Sequence, residues 1–115
     1  MVILEFDLYG EHKKVKLVKS SYDYNNALYI GAYNVVNDDD EIDEDNFYGD
    51  VTVNTYACNG NFVTLDNNNG PVITEEILKH KEWYEGDSID VPHGFCRFPA
   101  VNFKKKFIDM LDELE

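Results

Sequence analysis

A dense run of carboxylates is the feature of this sequence with the clearest chemistry. Eight acidic side chains lie between positions 38 and 50, namely Asp38, Asp39, Asp40, Glu41, Asp43, Glu44, Asp45 and Asp50. An extended strand advances about 3.3 Å per residue, close to the roughly 3.4 Å between phosphates along one DNA strand. Because alternate side chains face opposite ways, only a curved or paired arrangement of the run imitates a groove. The run predicts either contact with a basic partner or a solvated loop.

The same run could instead bind a metal ion. An EF-hand calcium loop requires a glycine at its sixth position, where the chain turns sharply around the ion. The sixth residue is Asp43 for a loop that starts at Asp38, and Glu44 for one that starts at Asp39. Neither frame fits. The sequence therefore predicts no metal ligands and no cofactor, beyond weak and unspecific binding of divalent ions.

Residues that could carry out catalysis are scattered. His12, His80 and His93 fall in different predicted elements, and no Gly-x-Ser-x-Gly or His-Glu-x-x-His pattern occurs. The two cysteines, Cys58 and Cys96, favour free buried thiols, although a single disulfide stays open because sequence gives no distance between them. The sequence predicts no catalytic residues and a protein that is not an enzyme.

Composition and charge limit the kinds of partner that this protein is expected to bind. The 115 residues carry a net charge of −13, and 43% of them are hydrophobic. This apolar content predicts one folded domain spanning residues 1–115. A strongly negative domain is repelled by phosphate, which argues against direct binding to nucleic acid or to an anionic membrane. No apolar segment is long enough to span a bilayer, and we expect a cytoplasmic protein.

The excess negative charge lies in the middle of the chain, together with most tyrosines. Residues 20–78 contain twelve acids and no Lys, Arg or His. Six of the eight tyrosines occur in the same stretch: Tyr22, Tyr24, Tyr29, Tyr33, Tyr48 and Tyr56. Aromatic residues on a sheet face usually belong to the core, but tyrosine beside carboxylates also suits an arginine-rich surface. We expect Tyr33 and Tyr48 to act as anchors beside the acidic run.

The first half of the chain has the patterns of β-strands. Alternating apolar residues predict a hairpin over residues 2–19, and β-branched and aromatic residues predict strands at 26–36 and 47–57. Asn59-Gly60 predicts a tight turn into a strand at 62–65, because the turn residues must adopt positive φ. The acidic run is then a connection between two strands.

The second half mixes helices with an extended segment. The sequence predicts a helix at 73–83 with Thr74 as N-cap, a loop at 85–94, a strand at 95–103 whose Pro99 marks an edge or a bulge, and a helix at 104–115. Charges in the last helix oppose its dipole, so packing or a partner must hold it. The predicted fold class is α+β, with a twisted, mostly antiparallel sheet of about five or six strands, one short helix and a C-terminal helix.

Three motifs occur in a characteristic order along the chain. They are the Thr52-Val53-Asn54 strand, the Asp-Asn-Asn loop and short helix over residues 66–79, and the closing Gly-Phe-x-x-Phe-Pro segment at 94–99. Together they resemble a small family of uncharacterised bacterial and bacteriophage proteins found on mobile elements. The resemblance covers about two thirds of the chain and implies a fold and a mobile-element setting. In that setting, small acidic proteins often inhibit host defence enzymes. The acidic run and the C-terminal helix depart from the family pattern.

These observations lead to two hypotheses of different classes. The first is an inhibitory protein of anti-CRISPR or anti-restriction type that mimics DNA and occupies the basic surface of a host defence nuclease. The acidic residues from Asp38 to Asp50 carry the contact in this hypothesis. The second is a structural or accessory module of a mobile element that associates with itself. The sequence leaves open whether the protein is a monomer or a dimer.

Overall fold

The computed structural model describes residues 1–23, 25–35 and 44–114. Within these ranges nine strands form two sheets, and two helices pack against them. The strands are β1 (Val2–Leu8), β2 (Glu11–Ser21), β3 (Leu28–Asn34), β4 (Phe47–Asp50), β5 (Thr52–Val53), β6 (Phe62–Leu65), β7 (Tyr84–His93), β8 (Cys96–Phe103) and β9 (Asp112–Glu113). The helices are α1 (Pro71–Lys79) and α2 (Lys105–Met110), and short 3-10 turns lie at Glu44–Asn46 and Lys81–Trp83.

The strands divide between two sheets, and this corrects the expected five or six strands. The first sheet has the order β1-β2-β3-β4, with β9 also paired to β2. The second has the order β5-β6-β8-β7. All strand pairs are antiparallel except β2 with β9. The predicted α+β class is therefore confirmed in its coarse form, a mostly antiparallel β fold with two helices.

The opening hairpin follows from the alternation in its sequence. Val2, Leu4 and Phe6 are buried, whereas Glu5 and Asp7 on the opposite face are exposed. The turn between the strands is formed by Tyr9 and Gly10, which have φ of 52° and 79°. Two consecutive positive φ values match the twist of the two strands, and they allow Leu8 to pair directly with Glu11.

His12 on this hairpin bridges two carboxylates. Its Nδ1 lies 3.0 Å from Asp7 Oδ1, and its Nε2 lies 3.1 Å from Glu5 Oε1. Hydrogen bonds to Glu5 and then Asp7 raise the pKa of His12 above its usual 6.5, because both anions favour the charged ring. The stabilisation is fully present below the unfolded pKa and is lost as pH rises through the higher folded value.

We therefore predict that His12→Gln lowers the melting temperature at acidic pH and has a smaller effect at alkaline pH. The measurement is the melting temperature of both proteins across the pH range. A double variant, Glu5→Gln with Asp7→Asn, serves as the control, and in that background the pH dependence of the His12 effect should disappear. An effect of His12→Gln that is constant with pH would contradict the account.

The chain changes sheets at Val51, inside a segment that the sequence predicts as one strand. The Val51 N–H donates to Ile30 of β3, and the Val51 carbonyl accepts from the Asp66 N–H. Thr52 Oγ1 accepts the Ile30 N–H at 3.1 Å, so the two sheets meet here through hydrogen bonds. The predicted strand at 47–57 is thus two short strands, β4 and β5, in different sheets.

A tight turn forms at residues 59–62, but its central residues are Gly60 and Asn61 and not the predicted pair Asn59 and Gly60, and only Gly60 has a positive φ. Asn59 and Phe62 exchange both backbone hydrogen bonds, each 3.0 Å long. Gly60 occupies the first central position with φ of 59°, a conformation that glycine adopts at little cost. Farther from the turn, Thr52 of β5 pairs with Leu65 of β6.

Helix α1 begins earlier than predicted, and the loop expected after it is a strand. Gly70 is the N-cap and Pro71 occupies the first turn, where a missing N–H costs nothing. Thr74, the expected N-cap, is instead buried in the helix. The expected loop at 85–94 belongs to β7, whose residues before Val91 are exposed and polar apart from Tyr84 and Ile89. Residues 85–90 are exposed on both faces of this edge strand, so no apolar alternation distinguishes them from a loop.

Pro99 occupies a central strand, so the expected edge position for its strand is wrong. β8 lies between β6 and β7. The ladder between β6 and β8 ends at Ala100, and Pro99 is paired only with Asp90 of β7. A residue without a backbone N–H is tolerated where one neighbouring ladder has ended.

The C-terminal segment is only half helical, which corrects the helix expected over residues 104–115. Helix α2 ends at Met110, and its carbonyl at Ile108 accepts a hydrogen bond from Lys19 Nζ at 2.9 Å. The following acids leave the helix and form β9, parallel to β2. Acidic residues are unfavourable at the negative end of a helix dipole, and in β9 Asp112 instead pairs with Lys16. No helix in the described ranges is long and apolar enough to cross a membrane.

A single buried cluster joins both sheets and both helices. At one end it contains a column of stacked rings that runs from the surface to the interior. His80 lies 3.8 Å from Trp83, Trp83 lies 4.6 Å from Phe107, and Phe107 lies 4.8 Å from Phe103, measured between ring centroids. This column fixes α2 and the 3-10 turn at Lys81–Trp83 against β8.

Candidate functional site

The acidic run connects β3 to β4, as predicted. Five of the predicted contact residues, Asp38, Asp39, Asp40, Glu41 and Asp43, lie outside the described residues. Glu44 begins the 3-10 turn that leads into β4, and Asp45 within this turn is exposed. Asp50 is exposed at the end of β4. The run therefore enters the described fold along β4, which closes one side of the first sheet.

Asp50 is held by an aromatic hydrogen bond on the outer face of that sheet. The Tyr29 hydroxyl donates to Asp50 Oδ1 at 2.6 Å, and the Tyr22 ring meets the Tyr29 ring edge to face at 5.5 Å. Gly31 leaves room for the Tyr29 hydroxyl, because a Cβ at Gly31 would lie 2.6 Å from it. Burial and then the adjacent Asp50 carboxylate raise the pKa of Tyr29 well above its usual value of 10.0.

We predict that Asp50→Asn lowers the pKa of Tyr29 while leaving it above 10.0. The asparagine Oδ1 can still accept the Tyr29 hydroxyl, so only the negative charge is removed and the burial remains. The measurement is an alkaline titration of phenolate absorbance in both proteins, with Tyr29→Phe as the reference that identifies the Tyr29 signal. An unchanged Tyr29 titration would show that the Asp50 charge does not act on this hydroxyl.

Tyr33, one of the two expected anchors, is covered. It is 8% exposed, and its ring meets the Phe47 ring edge to face at 5.3 Å. Phe47, its partner across β3 and β4, is 45% exposed. The ring that faces solvent beside the acidic run is therefore Phe47, which the sequence analysis did not single out. The signal that could have identified Phe47 is its position in the strand directly opposite the expected anchor Tyr33.

Tyr48, the other expected anchor, lies on the opposite side of β4. Its ring packs against Phe6 at 6.0 Å with an interplanar angle of 77°, beside the buried cluster. Successive residues of a strand face opposite ways, so the Tyr48 ring and the Phe47 ring point to opposite faces of β4, although both residues reach the cleft at its open edge. Tyr48 remains half-buried and contributes to a cleft at the open side of β4.

This cleft lies between β4 and the turn that precedes α1, and its volume is about 250 Å³. Asp66 in that turn is buried, and its carboxylate accepts hydrogen bonds from the Asn69 N–H at 3.1 Å and the Asn69 side chain at 2.9 Å. The cleft therefore contains two carboxylates, Asp50 and Asp66, beside aromatic rings. Its lining residues are Phe47, Tyr48, Gly49, Asp50, Asp66, Asn69, Gly70 and Ile73.

The ion pairs of the described residues lie elsewhere in the molecule. They occupy the opening hairpin, the last turn of α1 with the 3-10 turn after it, helix α2, and β9. Asp23, Asp50 and Asp66 take part in none of them among the described residues, and residues 20–78 supply no cation. Glu76 in the same stretch does form an ion pair, with Lys79 just beyond it.

The histidines lie in different parts of the described fold, and one of them, His93, pairs with Cys96 across the turn between β7 and β8. His80 contacts Glu82 and Trp83, and His93 stacks on Tyr56 at 5.8 Å. Both cysteines are free thiols. Burial alone would raise the pKa of Cys58, but hydrogen bonds from Thr64 and Thr55 outweigh burial and lower it. Within the part of the chain that the structure describes, no group of three or more potential ligands could hold a metal ion.

Comparisons with known proteins give no relative for this chain. No family model, curated protein or solved structure matches it.

Proposed function

We propose that this chain is an acidic inhibitory protein of phage or mobile-element origin that acts in the bacterial cytoplasm. It occupies the basic nucleic-acid-binding surface of a host defence nuclease, as an anti-CRISPR or anti-restriction protein of the DNA-mimic type. The contact residues are Asp38, Asp39, Asp40, Glu41, Asp43, Glu44, Asp45 and Asp50. Phe47, packed against Tyr33, adds a ring surface beside them.

One observation carries this proposal. The stretch from residue 20 to residue 78 holds twelve acids and no base, and eight of these acids lie in the connection between β3 and β4 and in β4 itself, at one side of the first sheet. Most acids elsewhere in the described residues pair with local cations, as Glu5 and Asp112 do. A dense group of carboxylates produces a strong field, which attracts a partner of opposite charge and speeds its association.

The rings next to the carboxylates determine what kind of basic surface fits. Guanidinium groups stack on aromatic faces and pair with carboxylates in a planar geometry. Channels that bind nucleic acid are lined with arginine and lysine, which normally contact phosphates. The acidic run with Phe47 at its end is therefore suited to such a channel, and the long-range part of the attraction should weaken with salt.

The test is affinity capture from a bacterial lysate that contains defence nucleases, followed by mass spectrometry. The bait proteins are the wild type and a variant with Asp38, Asp39 and Asp40 changed to asparagine. We expect the wild type to enrich one nuclease, and the variant to recover about tenfold less of it, because three charges are removed from the contact.

A second variant controls for net charge. Glu85→Gln, Asp87→Asn and Asp90→Asn remove three exposed acids from β7, on the other sheet. This variant should retain the nuclease as the wild type does. Equal loss from both variants would show that only total charge matters, and recovery of the chain alone would favour the self-associating module instead.

A further inference from the structure

We propose that the cleft between β4 and the 66–70 turn binds one arginine side chain of the partner protein. This inference rests on the proposed function, because it names the chemical group that the partner inserts beside the acidic run. The cleft is part of the described fold, so its chemistry can be tested without knowing the partner.

Charge is the first argument. Asp50 and Asp66 both line the cleft, and neither takes part in an ion pair among the described residues. Every lining residue lies between positions 47 and 73, inside the stretch that contains no Lys, Arg or His. Each carboxylate has about four lone-pair positions, so the bonds from Tyr29 and Asn69 leave capacity for a further donor.

The start of α1 beside the cleft does not reverse this charge. A helix N-terminus carries about half a positive elementary charge, and the first turn of α1 has no acidic residue. Two carboxylates outweigh this partial charge. Asp66 already accepts the Asn69 N–H next to the helix start, so part of the positive potential is satisfied by the chain itself. A cation is therefore preferred over an anion.

Size and shape select a single side chain. Pockets for complete small-molecule ligands usually have volumes of about 300–1,000 Å³. The cleft, at about 250 Å³, is smaller than this range. It could admit one long side chain, but not a nucleotide or a cofactor.

The rings favour arginine over lysine. Phe47 is 45% exposed and Tyr48 is half-buried, and both line the cleft beside Asp50. A planar guanidinium can stack on such a ring while its N–H groups reach a carboxylate, whereas a lysine ammonium is a strongly hydrated point charge. Arginine is also common among the residues that dominate binding energy at protein interfaces.

The experiment is a titration of the ¹⁵N-labelled protein with N-acetyl-arginine amide, followed by amide NMR shifts. We expect shifts at Gly49, Asn69 and Gly70, and binding about fivefold tighter than that of N-acetyl-lysine amide. Asp50→Asn should weaken arginine binding by about fivefold, and so should Phe47→Leu, which removes the ring but remains apolar. Asp87→Asn, an equal charge change on exposed β7, should leave it unchanged.

The outcomes separate this inference from the proposed function. Equal binding of the two amides, or an Asp50→Asn effect no larger than that of Asp87→Asn, would overturn the arginine site. If nuclease capture still depended on Asp38, Asp39 and Asp40, the proposed function would stand without it. Specific arginine binding in a protein that captures no nuclease would instead support the cleft and contradict the function.

Discussion

Phe107→Ala is expected to lower the free energy of unfolding by about 3–5 kcal/mol, the usual cost of truncating a buried phenylalanine. Phe107 is 2% exposed and lies between the Trp83 and Phe103 rings. Its removal leaves a cavity in the ring column and frees α2 from β8. Since a domain of this size has a total stability of about 5–15 kcal/mol, the loss is a large share of it.

Denaturant unfolding, followed by the fluorescence of the single tryptophan, measures this loss directly. Trp83 is part of the same ring column, so its emission reports the packing that Phe107 maintains. Met110→Ala is the matched control, because Met110 lies on the same helix and is 41% exposed. The control should change stability by about 0.5 kcal/mol or less. A Phe107→Ala loss as small as the control would show that the column does not hold α2.

Asp112→Ala is expected to lower the free energy of unfolding by roughly 2–3 kcal/mol, because it removes the carboxylate of a buried lysine. Lys16 is 5% exposed, and its Nζ lies 3.1 Å from Asp112 Oδ2. The expected loss of stability is smaller than for a fully buried ion pair, because the Asp112 side chain is 38% exposed. The same pair fixes β9 against β2, so its loss should also loosen the C-terminus.

A double variant separates loss of the pair from loss of β9. Lys16→Met with Asp112→Ala removes both charges, and replacing a buried pair by apolar groups is often neutral. We expect the double variant to regain most of the stability that Asp112→Ala loses. Glu113→Ala, a neighbouring exposed acid in β9, should have an effect within about 0.5 kcal/mol. A double variant as unstable as the single one would contradict a role for the buried charge.

Local sequence patterns were sufficient to predict strands that have one buried and one exposed face, and turns that require particular residues. The alternation in β1 and the turn at Gly60 are of this kind. Local patterns were insufficient where tertiary contacts determine which secondary structure a segment adopts. The C-terminal apolar stripe fits a helix throughout, yet the chain extends after Met110 because Asp112 pairs with Lys16 and because β2 offers a parallel partner.

The candidate site was also predictable only in part. The position of the acidic run between two strands followed from the sequence, and so did the presence of aromatic residues nearby. Which rings face solvent depends on strand register, and it was β4 that placed Phe47 outward and Tyr48 against Phe6. The cleft with Asp66 required the fold itself, because Asp50 and Asp66 line the same cleft only after the chain has crossed between the sheets at Val51.

The central claim is that this protein occupies a surface that otherwise binds nucleic acid. Its most direct test is capture of the nuclease in the presence of increasing amounts of duplex DNA. We predict that DNA displaces the nuclease from the immobilised wild-type protein, and that added salt weakens the complex further. Retention of the nuclease at saturating DNA would show that the two bind at different surfaces and would contradict the account.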